Sequence, residues 1–417
     1  MPLKVAIDGR LHDGESGGLQ QMVIGITAGL AGIAGPEEEY RVLVPRDGHR
    51  WIEPYTNDRV TTVSVGTGAA GGRMRQLDRA LARIGPARAA AHRVAPVFGN
   101  FVTRVPVTDG TVERLAADVV HFPLQAAFRT RIPSIYQPHD LQHVHLPEYF
   151  TPLQRRLRDR RFRELCDQAT TVVTMTRWGR HDLVDHLGLP GGKIAVVPGA
   201  SVLSFYPRPG EADRAEVSRR FKLPDRFALY PAQTWPHKNH LRLLDALDEL
   251  RSRGIRIPIV MAGRTNDHAS DIAKRIEQLR LQDQVRMTGF ISPLEIRTLY
   301  ELASCVVFPS LFEGWGMPVV EAFESGLPVA ASDIPVIAEV AGGSALLFDP
   351  LDTASIARAI ERIWNDDDAR ATLIRRGNER ADQFSWQSTA RQFRALYRAA
   401  VQKDDASDRV LLLDVFA

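Results

Sequence analysis

Two glutamates, Glu313 and Glu321, stand eight residues apart around a glycine-bearing turn, Glu313-Gly-Trp-Gly-Met-Pro-Val-Val-Glu321. An ionised carboxylate only accepts hydrogen bonds, so a pair of them in a crevice suits the hydroxyls of a sugar or a ribose. Gly314 and Gly316 permit backbone conformations closed to other residues and let a ligand approach the main chain. The apolar run Cys305-Val-Val-Phe308 before them predicts a buried parallel strand, and Pro318-Val-Val-Glu-Ala-Phe-Glu predicts the first turns of a helix. The glycines therefore sit at a strand-to-helix junction, where free N–H groups and the positive end of the helix dipole attract an anion. Such a loop can hold a diphosphate without a metal, with the carboxylates beside it for a polyol. The plain alternative is a helix cap with two surface glutamates.

Lys238 lies in the phrase Tyr230-Pro-Ala-Gln-Thr-Trp-Pro-His-Lys238-Asn-His, after the apolar run Phe227-Ala-Leu-Tyr230. A lysine at the mouth of a strand can neutralise a leaving diphosphate as charge develops on it; a solvated surface lysine is the other reading. His139-Asp140 follows the run Ser134-Ile-Tyr136 and shares a stretch with His143 and His145. A histidine there can hydrogen-bond a sugar or steady a reacting centre near neutral pH. The three histidines also admit a metal reading, although no His-Glu-x-x-His pattern accompanies them, and a structural role. The loop Asp13-Gly-Glu-Ser-Gly17-Gly18 precedes an apolar helical stretch. It reads as a second helix N-terminus able to approach a phosphate, or as a simple turn; it is neither a GxGxxG fingerprint nor a Walker loop.

Together these segments resemble the retaining glycosyltransferases of family 4, which have the two-domain GT-B fold. The resemblance rests on the Glu-x7-Glu pair Glu313/Glu321, the strand entry Gly326-Leu-Pro-Val-Ala-Ala-Ser332, the Lys238 phrase, His139-Asp140 and the Ser16-Gly17-Gly18 loop, and it covers nearly the whole chain. It implies a hexosyltransferase that needs neither metal nor cofactor and takes a nucleotide diphosphate sugar. By the same resemblance Glu313 orients the hexose and Glu321 holds the ribose. Gly314, Gly316 and Met317 meet the diphosphate through the backbone, and the base lies along Thr288-Gly-Phe290. His139, Glu313 and Lys238 are then the catalytic candidates, with Gly17, Gly18, Gln233, Lys238, Phe290, Glu313, Gly314, Gly316, Met317 and Glu321 on the donor and no metal ligand. Gln233 departs from the family, whose members commonly have an arginine five or six residues before the lysine. A glutamine donates hydrogen bonds but carries no charge, so either the diphosphate is held more weakly or another cation substitutes, with Arg264 and Arg10 as candidates.

Trp-Pro-His-Lys-Asn-His is similar to the phrase in bacterial polysaccharide mannosyl- and rhamnosyltransferases, which points the donor toward GDP-mannose. The acceptor would be a glycan, a lipid-linked sugar or a small molecule. Three other readings remain open: a GT-B epimerase of nucleotide sugars, a sugar-phosphate synthase, and a non-catalytic nucleotide-sugar-binding protein.

These residues need a scaffold of strand ends. Apolar runs at Leu3–Ile7, Arg41–Val44, Asp118–Phe122, Ser134–Tyr136, Thr171–Thr174 and Ile194–Val197 alternate with helical stretches. A second series runs through Phe227–Tyr230, Ile257–Met261, Val285–Met287, Cys305–Phe308, Val329–Ala331 and Ala345–Phe348. The class is α/β: two consecutive doubly wound, Rossmann-like parallel sheets, with ligands at the carboxyl ends of the strands in a cleft between the lobes. The proline- and glycine-rich stretch Pro198–Gly210 separates the series. The expected division is an acceptor-side domain at 1–205 and a donor domain at 206–384. By the resemblance a C-terminal helix at about 385–401 packs back on the first domain, and 403–417 is a frayed tail.

At 417 residues the chain suits two domains, and a net charge of 53 − 50 = +3 does not call for nucleic acid. Cys166 and Cys305 lie far apart in unlike contexts, against a disulfide framework. The N-terminus lacks the regions of a secretory signal and no apolar run is long enough to span a bilayer, so the expectation is a cytoplasmic protein. Two stretches are strongly basic, Arg73–Arg93 and Arg155–Arg163; the first, with an apolar stripe of Leu77, Ala80, Leu81 and Ile84, would either dock on the anionic inner face of the plasma membrane or simply be solvated. Asp366-Asp-Asp368 reads as a helix cap or a solvated turn.

Overall fold

The computed structural model describes residues 2–12, 17–47, 49–65 and 105–417. Ser16 and the basic stretch Arg73–Arg93 lie outside the described residues. The chain divides into two compact units, one of residues 1–174, 180–197 and 387–417 and the other of residues 175–179 and 198–386.

The first unit holds β1 (Leu3–Asp8), β2 (Glu38–Pro45), β3 (Val60–Val65), β4 (Val119–Phe122), β5 (Ser134–Tyr136), β6 (Thr171–Thr174) and β7 (Ile194–Val196). They form one parallel sheet in the order β3-β2-β1-β4-β5-β6-β7. Successive residues Val5, Ala6 and Ile7 are all buried, so β1 is covered on both faces, as an all-parallel sheet requires. Strand β3 has no counterpart among the expected runs. Its sequence, Val-Thr-Thr-Val-Ser-Val, lies at the sheet edge and is buried only at its ends, so no continuous apolar run marks it.

The second unit holds β8 (Ala228–Pro231), β9 (Ile259–Ala262), β10 (Val285–Gly289), β11 (Cys305–Phe308), β12 (Val329–Ser332) and β13 (Leu346–Phe348). This sheet too is parallel, ordered β10-β9-β8-β11-β12-β13. In each sheet the strand order reverses at one point, between β1 and β4 and between β8 and β11. That reversal opens a crevice at the carboxyl ends of the strands.

The long continuous segment of the second unit starts at Pro198, against the expected 206, for a visible reason. Arg297 Nη1–H donates to the carbonyls of Leu203 at 2.9 Å and Tyr206 at 2.6 Å, and Trp386 Nε1–H donates to Ser201 O at 2.8 Å. The helix Trp386–Ala400 then carries the chain back to the first unit. There the tilted rings of Phe393 and Tyr397 pack against His121 at 4.7 and 5.6 Å, and Arg398 pairs with buried Glu38 at 2.6 Å. Burial pushes His121 down to about 3, so the ring is neutral; Nδ1 accepts from the Tyr397 hydroxyl at 2.7 Å and Nε2–H donates to Gln137 Oε1 at 3.0 Å.

The expected frayed tail is instead a helix, Ala406–Phe416. Asp405 and Asp408 form a capping box at its start, and Arg398 reaches the buried Asp408 at 3.1 Å, which ties the helix down. Asp366 caps the helix Asp367–Ala381 by accepting from the Ala369 N–H at 2.9 Å, matching the reading of the acidic run as a cap. Cys166 and Cys305 are both buried and unpaired as thiols.

Candidate functional site

Lys238 and Glu313 belong to the loops that follow β8 and β11, the two strands flanking the strand-order reversal of the second unit. Those loops are stitched together. Asn239, held at φ 62° in the left-handed region that asparagine tolerates, donates from Nδ2 to Pro309 O at 3.0 Å and to Pro350 O at 2.8 Å. Leu311 N–H donates to His237 O at 2.8 Å, and the buried Tyr230 hydroxyl donates to the Lys238 carbonyl. The lysine backbone is therefore fixed from both sides.

The consequence is an ion pair that the sequence does not announce. Lys238 Nζ lies 2.5 Å from Glu313 Oε1, with side chains only 17% and 13% exposed, and it sits 5.6 Å from the Phe308 ring centroid. Glu313 leads into the turn whose second glycine, Gly316, takes φ 101° and caps the helix Met317–Glu324. Only glycine adopts that angle readily. Val319 N–H is bonded to Gly316 O at 2.9 Å and Pro318 has no N–H, which leaves the N–H groups of Gly316 and Met317 without a protein partner among the described residues. Glu321 does not join Lys238 and Glu313. It is buried, and its Oε2 accepts from the Tyr300 hydroxyl at 2.7 Å; burial and the nearby Glu321 hold that phenol protonated.

Gln233 is half-buried, and its Oε1 accepts from Trp235 Nε1–H at 3.0 Å, so its amide N–H groups point elsewhere. Phe290 is 56% exposed. Burial pushes His237 down to about 3, so it adds no cation beside Lys238.

The remaining candidates belong to the first unit. Gly17 and Gly18 open the helix Gly18–Ile33, with Gly17 at φ 45°. His139 also has a left-handed backbone, φ 66°, which a non-glycine residue adopts only under constraint. Its Nε2–H donates to Pro123 O at 2.7 Å, beyond the end of β4, and burial lowers its pKa, so the ring is neutral with Nδ1 as an acceptor. His143 and His145 do not converge with it. The ring of His143 lies 5.4 Å from Phe162 in the core, and His145 meets Asp182 at 2.6 Å. The basic helix Pro152–Gln168 engages several of its arginines locally: Arg158 lies over Phe150 and Phe162, and Arg163 reaches Asp159 and the carbonyls of His186 and Leu187.

Asn239, Tyr230 and Tyr300 were not singled out in the sequence. An asparagine after a loop lysine is a signal for a left-handed turn, whereas the partners of the two tyrosines become visible only in the fold.

Residues 59–201 match the family described as Glycosyltransferase Family 4, and residues 213–380 match the one described as Glycosyl transferases group 1. O-antigen chain mannosyltransferase B of Escherichia coli is 28% identical over 256 residues, 61% of this chain and 67% of that protein. The serotype-specific mannosyltransferase WbdA of the same organism is 27% identical over 248 residues, 57% of this chain but only 30% of the longer relative. Among solved structures, Anabaena Alr3699/HepE in complex with UDP and glucose superposes with a TM-score of 0.70, at 18% identity, over 95% of this chain and 100% of that one. With these two matched segments and two Rossmann-like parallel sheets, the chain has the GT-B fold and is similar in sequence to the family 4 glycosyltransferases.

Proposed function

We propose that this glycosyltransferase moves a mannosyl unit from GDP-mannose to an acceptor hydroxyl in bacterial polysaccharide or glycolipid assembly, with retention and without a metal. The observation that carries the reading is the Lys238–Glu313 pair beside the free N–H groups of Gly316 and Met317, all at one strand-order reversal. An anion and a polyol are what that set can bind together. The mannosyl donor is supported by the E. coli relatives, whose names are those of mannosyltransferases.

In this reading Lys238 and the N–H groups of Gly316 and Met317 take the charge that builds on the departing diphosphate, the part a metal plays elsewhere. The leaving phosphate oxygen removes the acceptor hydroxyl proton on the same face of the sugar, so no carboxylate nucleophile is needed. Glu313 stays with the hexose hydroxyls while its other side holds Lys238. Glu321 holds the ribose, and its bond to Tyr300 fixes the carboxylate plane. His139, neutral, accepts a sugar hydroxyl through Nδ1 and does not act as an acid. Gly17 and Gly18 offer backbone N–H groups to a phosphate, and Phe290 lies along the base. The acceptor is a glycan, a lipid-linked sugar or a small molecule, met at the anionic inner membrane face. Among the described residues no helix is long and apolar enough to cross a membrane.

The test is a thermal-shift panel of GDP, UDP, dTDP and GDP-mannose, since a ligand that binds only the native state raises its stability by mass action. GDP and GDP-mannose should raise Tm most. No shift with any of the nucleotides would overturn the transferase reading, and a shift with UDP alone would overturn the donor. Turnover persisting in excess EDTA, with retained anomeric configuration in the product, checks the rest.

A further inference from the structure

A bound diphosphate brings several negative charges, and the described groups around Lys238 offer little to match them. The Lys238 charge is already opposed by Glu313 at 2.5 Å, Gln233 is neutral, and half-buried His237 is neutral as well. Arg242 is turned to Asn239 Oδ1 at 3.1 Å. The other candidate cation, Arg10, belongs to the first unit and is committed there to Asp8: Nε lies 2.7 Å from Oδ1 and Nη2 2.7 Å from Oδ2. A cation must come from elsewhere.

We infer that Arg264 supplies it, binding the donor diphosphate together with the Gln233 amide; this rests on the nucleotide-sugar reading above. Arg264 follows β9, the neighbour of β8, and three bonds lace its loop to the loop of Gln233. Thr234 N–H donates to Arg264 O at 3.3 Å, Asn266 N–H donates to Thr234 Oγ1 at 2.8 Å, and the Thr234 hydroxyl donates to Asn266 Oδ1 at 3.0 Å. Gly263 makes the close approach possible, because a Cβ there would stand 2.3 Å from Ala232 O and 2.8 Å from Gln233 N. The guanidinium of Arg264 is exposed, and no ion pair or side-chain hydrogen bond engages it among the described residues. In the loop laced to it, the Gln233 side-chain oxygen Oε1 is occupied by Trp235 Nε1–H at 3.0 Å, so the amide presents its N–H groups. Guanidinium and amide together form a donor-only pair, and a phosphate group is the acceptor that such a pair fits.

The experiment is calorimetric titration of the whole chain with GDP and with UDP, for wild type, Arg264→Ala, and the double variant Gln233→Arg/Arg264→Ala. Losing a charge-assisted contact should weaken the tighter-bound diphosphate about tenfold or more in Arg264→Ala. Tm of the free protein should stay nearly unchanged, because the side chain is exposed and unpaired. Returning a guanidinium at Gln233 should recover most of the affinity. Wild-type affinity in Arg264→Ala, or a loss that the double variant does not repair, overturns the inference and leaves the nucleotide-sugar reading standing. If wild type binds neither nucleotide, that reading fails and this inference falls with it.

Discussion

Glu313→Gln and Lys238→Met should act in the same direction on stability and in opposite directions on nucleotide binding. The two charges are 2.5 Å apart and their side chains are 13% and 17% exposed, so removing either leaves a poorly solvated charge behind. For fully buried pairs that costs about 3–5 kcal/mol, and the residual exposure here brings it to about 2–3 kcal/mol. In a unit of this size each kcal/mol corresponds to about 2–4 °C, so each single variant should lose roughly 5–10 °C in Tm. The double variant removes both charges and should recover much of the loss, with a coupling of about 1–3 kcal/mol in the double-mutant cycle. The binding signs separate the roles. Glu313→Gln frees the lysine charge, so GDP affinity is maintained or increased, while Lys238→Met lowers it about tenfold or more. Scanning calorimetry and GDP titration of the four proteins measure both quantities. Additive stability losses in the double variant, or weaker GDP binding in Glu313→Gln, would refute the argument that Glu313 balances a phosphate-binding lysine.

In steady-state kinetics Glu313→Ala should mainly lower kcat, while Glu321→Ala should mainly raise the donor KM; unchanged kinetics in both would remove these residues from the site. Acid should also unfold the first unit early through His121. Its folded pKa of about 3 is depressed below the unfolded value near 6.5, so its contribution is complete above about pH 6.5 and is lost as pH falls toward 3. At pH 5 that amounts to about 2 kcal/mol, and His121→Gln should flatten the fall in urea midpoint between pH 7 and pH 5; an equally steep fall would assign the acid sensitivity elsewhere.

The strands were legible where burial on both faces left a continuous apolar run, as in Cys305–Phe308 and Val329–Ser332. The edge strand β3 was not legible, because Val-Thr-Thr-Val-Ser-Val is buried only at its ends and offers no continuous apolar run. The turn at Gly316 was equally readable, because a glycine before a proline-led helix has a local cause. Long-range pairing leaves no local trace. Glu313 and Lys238 are 75 positions apart, and nothing in either segment says that they touch. The same holds for Arg297, which draws residues 203–206 into the second unit, and for Arg398, which orders the C-terminal helix through Asp408. In each case a side chain of one element satisfies a group of another, and only the fold decides which.

The structure splits the glutamate pair into unlike groups. Glu321 is buried against Tyr300, whereas Glu313 is bound to a lysine held by Asn239, Tyr230 and the Leu311 N–H. A carboxylate that already shares its charge with an ammonium is a poor nucleophile and a good positioning group. A lysine so shared has less charge to offer a phosphate than an isolated one. Both effects argue for the same chemistry: the carboxylate orients sugar hydroxyls, and the charge of the leaving group falls on Lys238 only in part, with the N–H groups at Gly316 and Met317 and a second cation taking the rest. The ion pair thus weakens the case for a covalent intermediate on Glu313 and raises the demand placed on the residues around Gln233.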